Sequence, residues 1–135
     1  HGAYTPSDDL HNCTLSEAGV LAQHQISQRL KEDGYTIDSI LSSPLPRARQ
    51  SASILREYYP VDIEIHEGLD PCFENFEKIL MSIIKWKHVA LVGHDPTLLN
   101  LARTLYPKEQ LPSGLSKSSA LILTKGHPPI YLKVG

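Results

Sequence analysis

The chain has 135 residues, which suits a single domain spanning residues 1–135. A domain of that size can hold its core without disulfides or a structural metal. Hydrophobic residues make up 41% and charged residues 21%, as in soluble globular proteins, and a formal net charge of -2 gives neither a nucleic-acid footprint nor a polybasic membrane patch.

Residues 4–13 are mostly polar, with Pro6, Asp8, Asp9 and Asn12, and read as a loop. Thr14-Leu-Ser-Glu17 has the form of a capping box, in which the threonine oxygen accepts from a free helix amide while Glu17 reaches back. Leu15, Ala18, Leu21, Ala22, Ile26 and Leu30 follow at helical spacing, and Gly34 stops the helix. Ile37–Leu41 predicts a short strand leaving through Ser42-Ser43-Pro44. Pro46 is placed to open a helix with Ala48, Ala52 and Leu55 facing inward.

Asp62-Ile-Glu-Ile-His66 alternates with period two, which predicts a strand with one exposed face. Phe76, Ile79, Leu80, Ile83 and Ile84 predict another amphipathic helix. Val89–Val92 is continuously apolar, as expected of a central strand covered on both faces. Asp95 then suits an N-cap and Pro96 a first helical residue, with Leu98, Leu99, Leu101, Ala102 and Leu105 continuing the helix. Ser119–Thr124 and Ile130–Val134 predict two closing strands around a turn at Gly126 to Pro129. The alternation implies an α/β three-layer sandwich, with a mostly parallel central sheet flanked by helices. Ligands of such sheets bind at the carboxyl ends of the strands.

The longest apolar runs, Val89–Val92 and Ala120–Leu123, fall far short of the ~20 residues of a membrane span. Cys13 and Cys72 make neither a disulfide framework nor a zinc spacing, which points to reduced thiols in a cytoplasmic protein.

Three polar turns concentrate the chemistry: His1-Gly2, Ser42-Ser-Pro-Leu-Pro-Arg47 and Val92-Gly-His94. If their strands are neighbours, His1, Arg47 and His94 enter one crevice. There, helix N-termini add donors and a positive field, and Arg47 can grip a phosphoryl group with two parallel bonds. Taken singly, each has an ordinary explanation: a hydrogen-bonded structural histidine, a solvated arginine, a tag remnant at position 1.

Together these segments resemble the histidine phosphatase superfamily. His1-Gly2 is similar to the end of its Arg-His-Gly signature, and Leu15-Ser-Glu-Ala-Gly19 to its Leu-Thr-x-x-Gly helix start. Ser42-Ser-Pro-Leu-Pro-Arg-Ala-Arg-Gln-Ser-Ala52 closely resembles its Ser-Ser-Pro-x-x-Arg-Ala-x-Gln-Thr-Ala block, and Val92-Gly-His94 its second histidine motif. The short stretch between the last two, together with His94-Asp-Pro96, resembles the compact SixA-type phosphohistidine phosphatases. The family's arginine before the first histidine, and the strand carrying it, would lie upstream of His1. Cys13 stands near a position where the compact branch often has arginine.

The resemblance implies a phosphoglycerate mutase-like fold and a metal-independent phosphatase without cofactors. His1 would be the nucleophile that forms a phosphohistidine intermediate, with Arg47 and His94 holding the phosphoryl oxygens. Gly2 and Ser43 would complete the substrate-binding set. The family's acid position reads Pro71, leaving Asp70 or Glu67 as substitutes, although both fit ordinary surface or turn carboxylates. Arg49 is spaced to face away and Cys72 is expected to be a small buried hydrophobe. No role is expected for His11, His24, His66, His88 or His127. The partner is expected to be a phosphorylated protein or a small phosphorylated substrate, with no nucleic acid and no membrane. A phosphatase of small sugar or nucleotide phosphates, and a phosphate-binding module without turnover, are the alternatives.

Overall fold

Residues that must leave water on both sides of a sheet find that place in Ser39–Ser42. In the computed structural model, which describes residues 14–95, 97–107, 111, 120–122 and 130–132, this segment is strand β1 and all four residues are buried. Helix α1 (Glu17–Glu32) precedes it; helix α2 (Pro46–Tyr58), strand β2 (Ile63–Ile65), a single 3-10 turn (Glu67–Leu69), helix α3 (Phe76–Ile83), strand β3 (Val89–Val92) and helix α4 (Thr97–Leu105) follow. The three strands pair in the order β2-β1-β3, both pairs parallel. Strands β4 (Ala120–Ile122) and β5 (Ile130–Leu132) form a separate antiparallel pair.

Alternation along β1 divides the core in two. Ile40, aligned with Ile63 and Ala90, packs with Ala48, Ala52 and Leu55 of α2 and with Tyr59 and Val92. Leu41, aligned with Leu91, points to the other face and packs with Leu69, Ile79 of α3 and Leu101 of α4. Helices therefore cover both faces. Ile40 and Leu41 are each 0% exposed, and full burial of such a side chain contributes roughly 1.5–3 kcal/mol.

Several expectations need correction. The fully buried run is β1 and not Val89–Val92, whose first three residues are only half-buried. Among the described residues β1 has a partner strand on each side and β3 pairs only with β1. The first helix is capped by Ser16, whose hydroxyl accepts from the Gly19 amide, so the capping box at Thr14 does not form. Its inward stripe is Gly19, Gln23, Ile26 and Ser27, while Leu21 is 60% exposed. Two polar side chains tolerate that interior because Gln23 donates to the Ser27 hydroxyl at 3.2 Å. Ile84 caps α3 with its side chain in solvent, and Leu105 is likewise exposed at the end of α4. Both closing strands are present where the structure describes them, Ala120–Ile122 and Ile130–Leu132, and they pair with each other; residues 119, 123, 124, 133 and 134 of the expected strands lie outside the described residues. Pro96, residues 4–13 and the turn at Gly126 to Pro129 lie outside the described residues. No helix among the described residues is long and apolar enough to cross a membrane.

Gly34 ends α1 as expected. It adopts φ +83°, donating to the Lys31 carbonyl, while Tyr35 donates to Leu30, the paired bonds of a Schellman cap. A methyl group there would meet no atom within 4 Å, so only backbone strain opposes it. Gly34→Ala is therefore expected to lower stability by about 1–2 kcal/mol, read as a shift of the urea midpoint with an unchanged slope.

Candidate active site

Where β1 ends, the backbone must leave the sheet without stranding its donors. Ser43 N–H makes the last rung to β3, donating to the Val92 carbonyl at 2.9 Å. Pro44 and Pro46 have no N–H to satisfy, and the remaining donor between them, Leu45 N–H, is taken by the Ser43 hydroxyl at 3.2 Å. Pro46 then opens α2 with its φ already helical. This is why a serine between a strand and two prolines makes so tight a turn.

Strand β3 ends beside it, because Ser42 stands opposite Val92 in the parallel register. Two residues later the imidazole of His94, 3% exposed, meets Ser43: Nε2 lies 2.8 Å from the hydroxyl oxygen. The first helical bond after β3 runs from Leu98 N–H to the carbonyl of His94 itself, and Asp95 is exposed. His94 is thereby held at both ends, by its backbone in the start of α4 and by its ring on the turn after β1.

Arg47 stands in the first turn of α2, half-buried, with Nε shielded from solvent. The N-cap residue Leu45 offers no side-chain cap, and neither α2 nor α4 carries an acidic residue in its first turn. Positive helix ends and a fixed imidazole at the carboxyl end of a parallel sheet, with an arginine in the first turn of α2, are groups of the kind that suit a tetrahedral oxyanion. The structure thus brings Ser43 and His94 into contact, and Arg47 follows Ser43 by four residues, in the first turn of α2. His1 and Gly2 lie outside the described residues.

The two acidic substitutes fare differently. Asp70 is buried to 7% exposure, and its Oδ1 accepts from Cys72 N–H at 2.9 Å, so this carboxylate shapes a turn. Glu67 is exposed in the 3-10 turn. Cys72 is exposed, contrary to the expectation of a buried thiol, because the same turn points it outward. Arg49 is exposed as expected. Among the described residues, no group of three or more His, Cys, Asp or Glu side chains is placed to hold a metal ion.

Four supports have partners that the sequence does not single out. Thr97, 1% exposed at the start of α4, donates to Glu74 Oε2 at 2.7 Å and ties the segment after the 3-10 turn to the helix that follows His94. Gln50 in α2 accepts from Leu15 N–H at 2.7 Å, which ties the approach to α1 onto the arginine-bearing helix. His66 accepts from Gly68 N–H through Nδ1, and its Nε2 lies 3.0 Å from the Ser82 hydroxyl of α3. His24 is a structural residue between α1 and α2, with Nδ1 2.9 Å from the Tyr58 hydroxyl. These partners are 16 to 35 residues apart in sequence, beyond any local pattern; only Gln50, inside the serine-proline-arginine block, carried a signal.

Ser43→Ala takes away the hydroxyl partner of a buried imidazole nitrogen and of Leu45 N–H, and is expected to destabilise by about 1–3 kcal/mol. Thr97→Val leaves behind only Glu74, which is exposed and can hydrate, so its effect is expected near 1 kcal/mol. Urea unfolding of the two variants checks the order; a larger loss for Thr97→Val would contradict it.

Residues 3–104 match the family model of the histidine phosphatase superfamily, branch 1. The chain is similar in structure to a protein assigned as the phosphohistidine phosphatase SixA from Agrobacterium tumefaciens, with a TM-score of 0.74 and 26% identity over 88% of this chain and 83% of that one. It is also similar to a protein histidine phosphatase SixA complexed with tungstate (TM-score 0.81, 19% identity, 98% and 92% covered). A third similar structure is a mycobacterial glucosyl-3-phosphoglycerate phosphatase (TM-score 0.69, 16% identity, 88% and 84% covered). No curated protein sequence matches the chain. The matched stretch holds Ser43, Arg47 and His94 in the geometry described, and the chain belongs to the histidine phosphatase superfamily.

Proposed function

We propose that this chain is a metal-independent phosphatase that removes phosphoryl groups from histidine on a protein, by way of a covalent intermediate on His1. The observation that carries the reading is the buried 2.8 Å contact between Ser43 and His94, which joins two of the family's motifs, one of them carrying Arg47 into the first turn of α2. The superfamily match supports phosphatase chemistry; one similar structure is of a protein histidine phosphatase SixA and another is of a protein assigned as a phosphohistidine phosphatase. The reading places the enzyme in the cytoplasm, in keeping with only two cysteines in the chain.

In this scheme a neutral His1 nitrogen attacks phosphorus as the bond to the substrate nitrogen breaks. Arg47 and His94 bind the equatorial oxygens, where charge spreads in the transition state, and the Gly2 amide and Ser43 border the same oxygens. Water then attacks the phosphorus on His1, releasing inorganic phosphate and the free imidazole. The substrate imidazole departs neutral once its far nitrogen carries a proton, so the step asks little of an enzyme acid. A sugar or nucleotide ester would release an alkoxide and need a donor, and the burial of Asp70 in its own turn speaks against that role.

The second reading, a small phosphate ester as substrate, is favoured by the likeness to the glucosyl-3-phosphoglycerate phosphatase. Kinetics separate the two. With a phosphohistidine peptide, Arg47→Ala is expected to lower kcat/KM by about a hundredfold or more and His1→Ala to abolish turnover. Asp70→Asn and Glu67→Gln should leave peptide turnover within about twofold, since a donor of that kind is worth ~10²–10⁴ where it is needed. A stable peptide with rapid ester hydrolysis, lost in the carboxylate variants, would establish the ester reading. Phosphate binding without turnover of either substrate would identify a binding module.

A further inference from the structure

Pro71, Cys72 and Phe73 are consecutive apolar residues and all three are exposed, Phe73 to 70%. A single exposed hydrophobe is ordinary. A run of three is a pattern that folded surfaces avoid unless it is used.

This run is held firmly. Cys72 N–H donates to Asp70 Oδ1 at 2.9 Å and Phe73 N–H to the Asp70 carbonyl at 3.0 Å. Asn75 N–H donates to the Gly68 carbonyl at 3.2 Å, and Glu74 accepts from the buried hydroxyl of Thr97 at 2.7 Å. A nearly buried carboxylate, Asp70, therefore fixes the backbone of the turn that carries the exposed ring.

The turn also stands beside the site. It follows β2, at the same end of the parallel sheet as Ser43 and His94. Its root, Leu69, lies against Gly93, where an added Cβ would stand 3.8 Å from the Leu69 Cβ. Its far end is tied to Thr97, three residues after His94. An ion the size of phosphate, seated by Arg47 and His94, has no apolar part to lay on Phe73; a protein presenting its phosphohistidine has. An aromatic side chain on a pinned turn gains contact with little loss of conformational freedom, and such residues dominate the energy of many interfaces. Exposed Glu67, Glu74 and Glu77 flank the run in sequence, so the matching face on the partner is apolar at its centre and basic at its rim.

We propose that Pro71–Phe73 is a docking contact for the protein that carries the phosphohistidine, with Phe73 the side chain that distinguishes it from small phosphorylated molecules. The inference rests on the phosphohistidine-protein reading above. Its test compares the full chain with Phe73→Ala and Phe73→Leu on two substrates: a phosphotransfer domain phosphorylated on its histidine, and phosphoramidate. Phe73→Ala is expected to raise KM for the phosphorylated domain roughly tenfold, the effect of losing an aromatic anchor. KM for phosphoramidate should stay within about twofold, and Phe73→Leu should recover much of the loss by restoring an apolar side chain. Equal KM values for the phosphorylated domain in wild type and Phe73→Ala would overturn the docking role. So would equal losses on both substrates, which would mean that the turn acts through the site itself. Failure of the wild type to dephosphorylate the domain would remove the phosphohistidine-protein reading, and the docking role with it.

Discussion

The parallel rungs between β1 and β3 decide where the side chains of the candidate site stand. Ser42 opposite Val92 means that both strands end at one level, so the turns after them start side by side. From there the chain needs only one residue on the first turn and two on the second to bring a hydroxyl against an imidazole at 2.8 Å. A slip of one residue in that register would carry Ile40 and Leu41 to the wrong faces. The two halves of the core would then be exchanged, and Ser43 would no longer reach His94. The same hydrophobic division that stabilises the sheet therefore specifies the site.

Around that junction, much of the polar structure serves to restrict movement. Leu45 N–H is closed onto Ser43, and the start of α4 is closed onto the His94 carbonyl. The Glu74–Thr97 bond fastens the neighbouring segment to the same helix. Such supports matter for phosphoryl transfer, where the protein acts chiefly by positioning fixed charges and dipoles. The turn at Asp70 belongs to the same scheme: it follows β2 at the same end of the sheet and is closed by its own hydrogen bonds with Phe73 outward.

The sandwich was legible where local chemistry and burial agree. Pro46 at a helix start, Gly34 at a helix stop and the apolar strand Val89–Val92 each carry their reason in their own residues. Legibility failed where tertiary partners override local signals. Thr14 and Ser16 both have a hydroxyl that suits a cap, and in the folded chain Ser16 is the one used; the helix face that is buried has Gln23 inside and Leu21 outside. Asp70 and Cys72 followed the same rule in reverse. A carboxylate read as a surface or turn residue is a turn residue and buried, and a thiol read as core is exposed, because one hydrogen bond between them sets the turn. At the site, order along the chain made Arg47 and His94 visible, whereas the Ser43–His94 contact, 51 residues apart, required the sheet.

On the proposed reading, the turns after β1 and β3 form a single oxyanion site. Tungstate titration of protein labelled with nitrogen-15 in its histidines tests it most directly, reading the His94 imidazole resonances in wild type and Ser43→Ala. A saturable shift of the His94 signals, with affinity reduced several-fold in the variant, is the result expected if Ser43 orients the ring toward the anion. Tungstate binding of equal strength in both proteins, with the His94 signals unmoved, would contradict it.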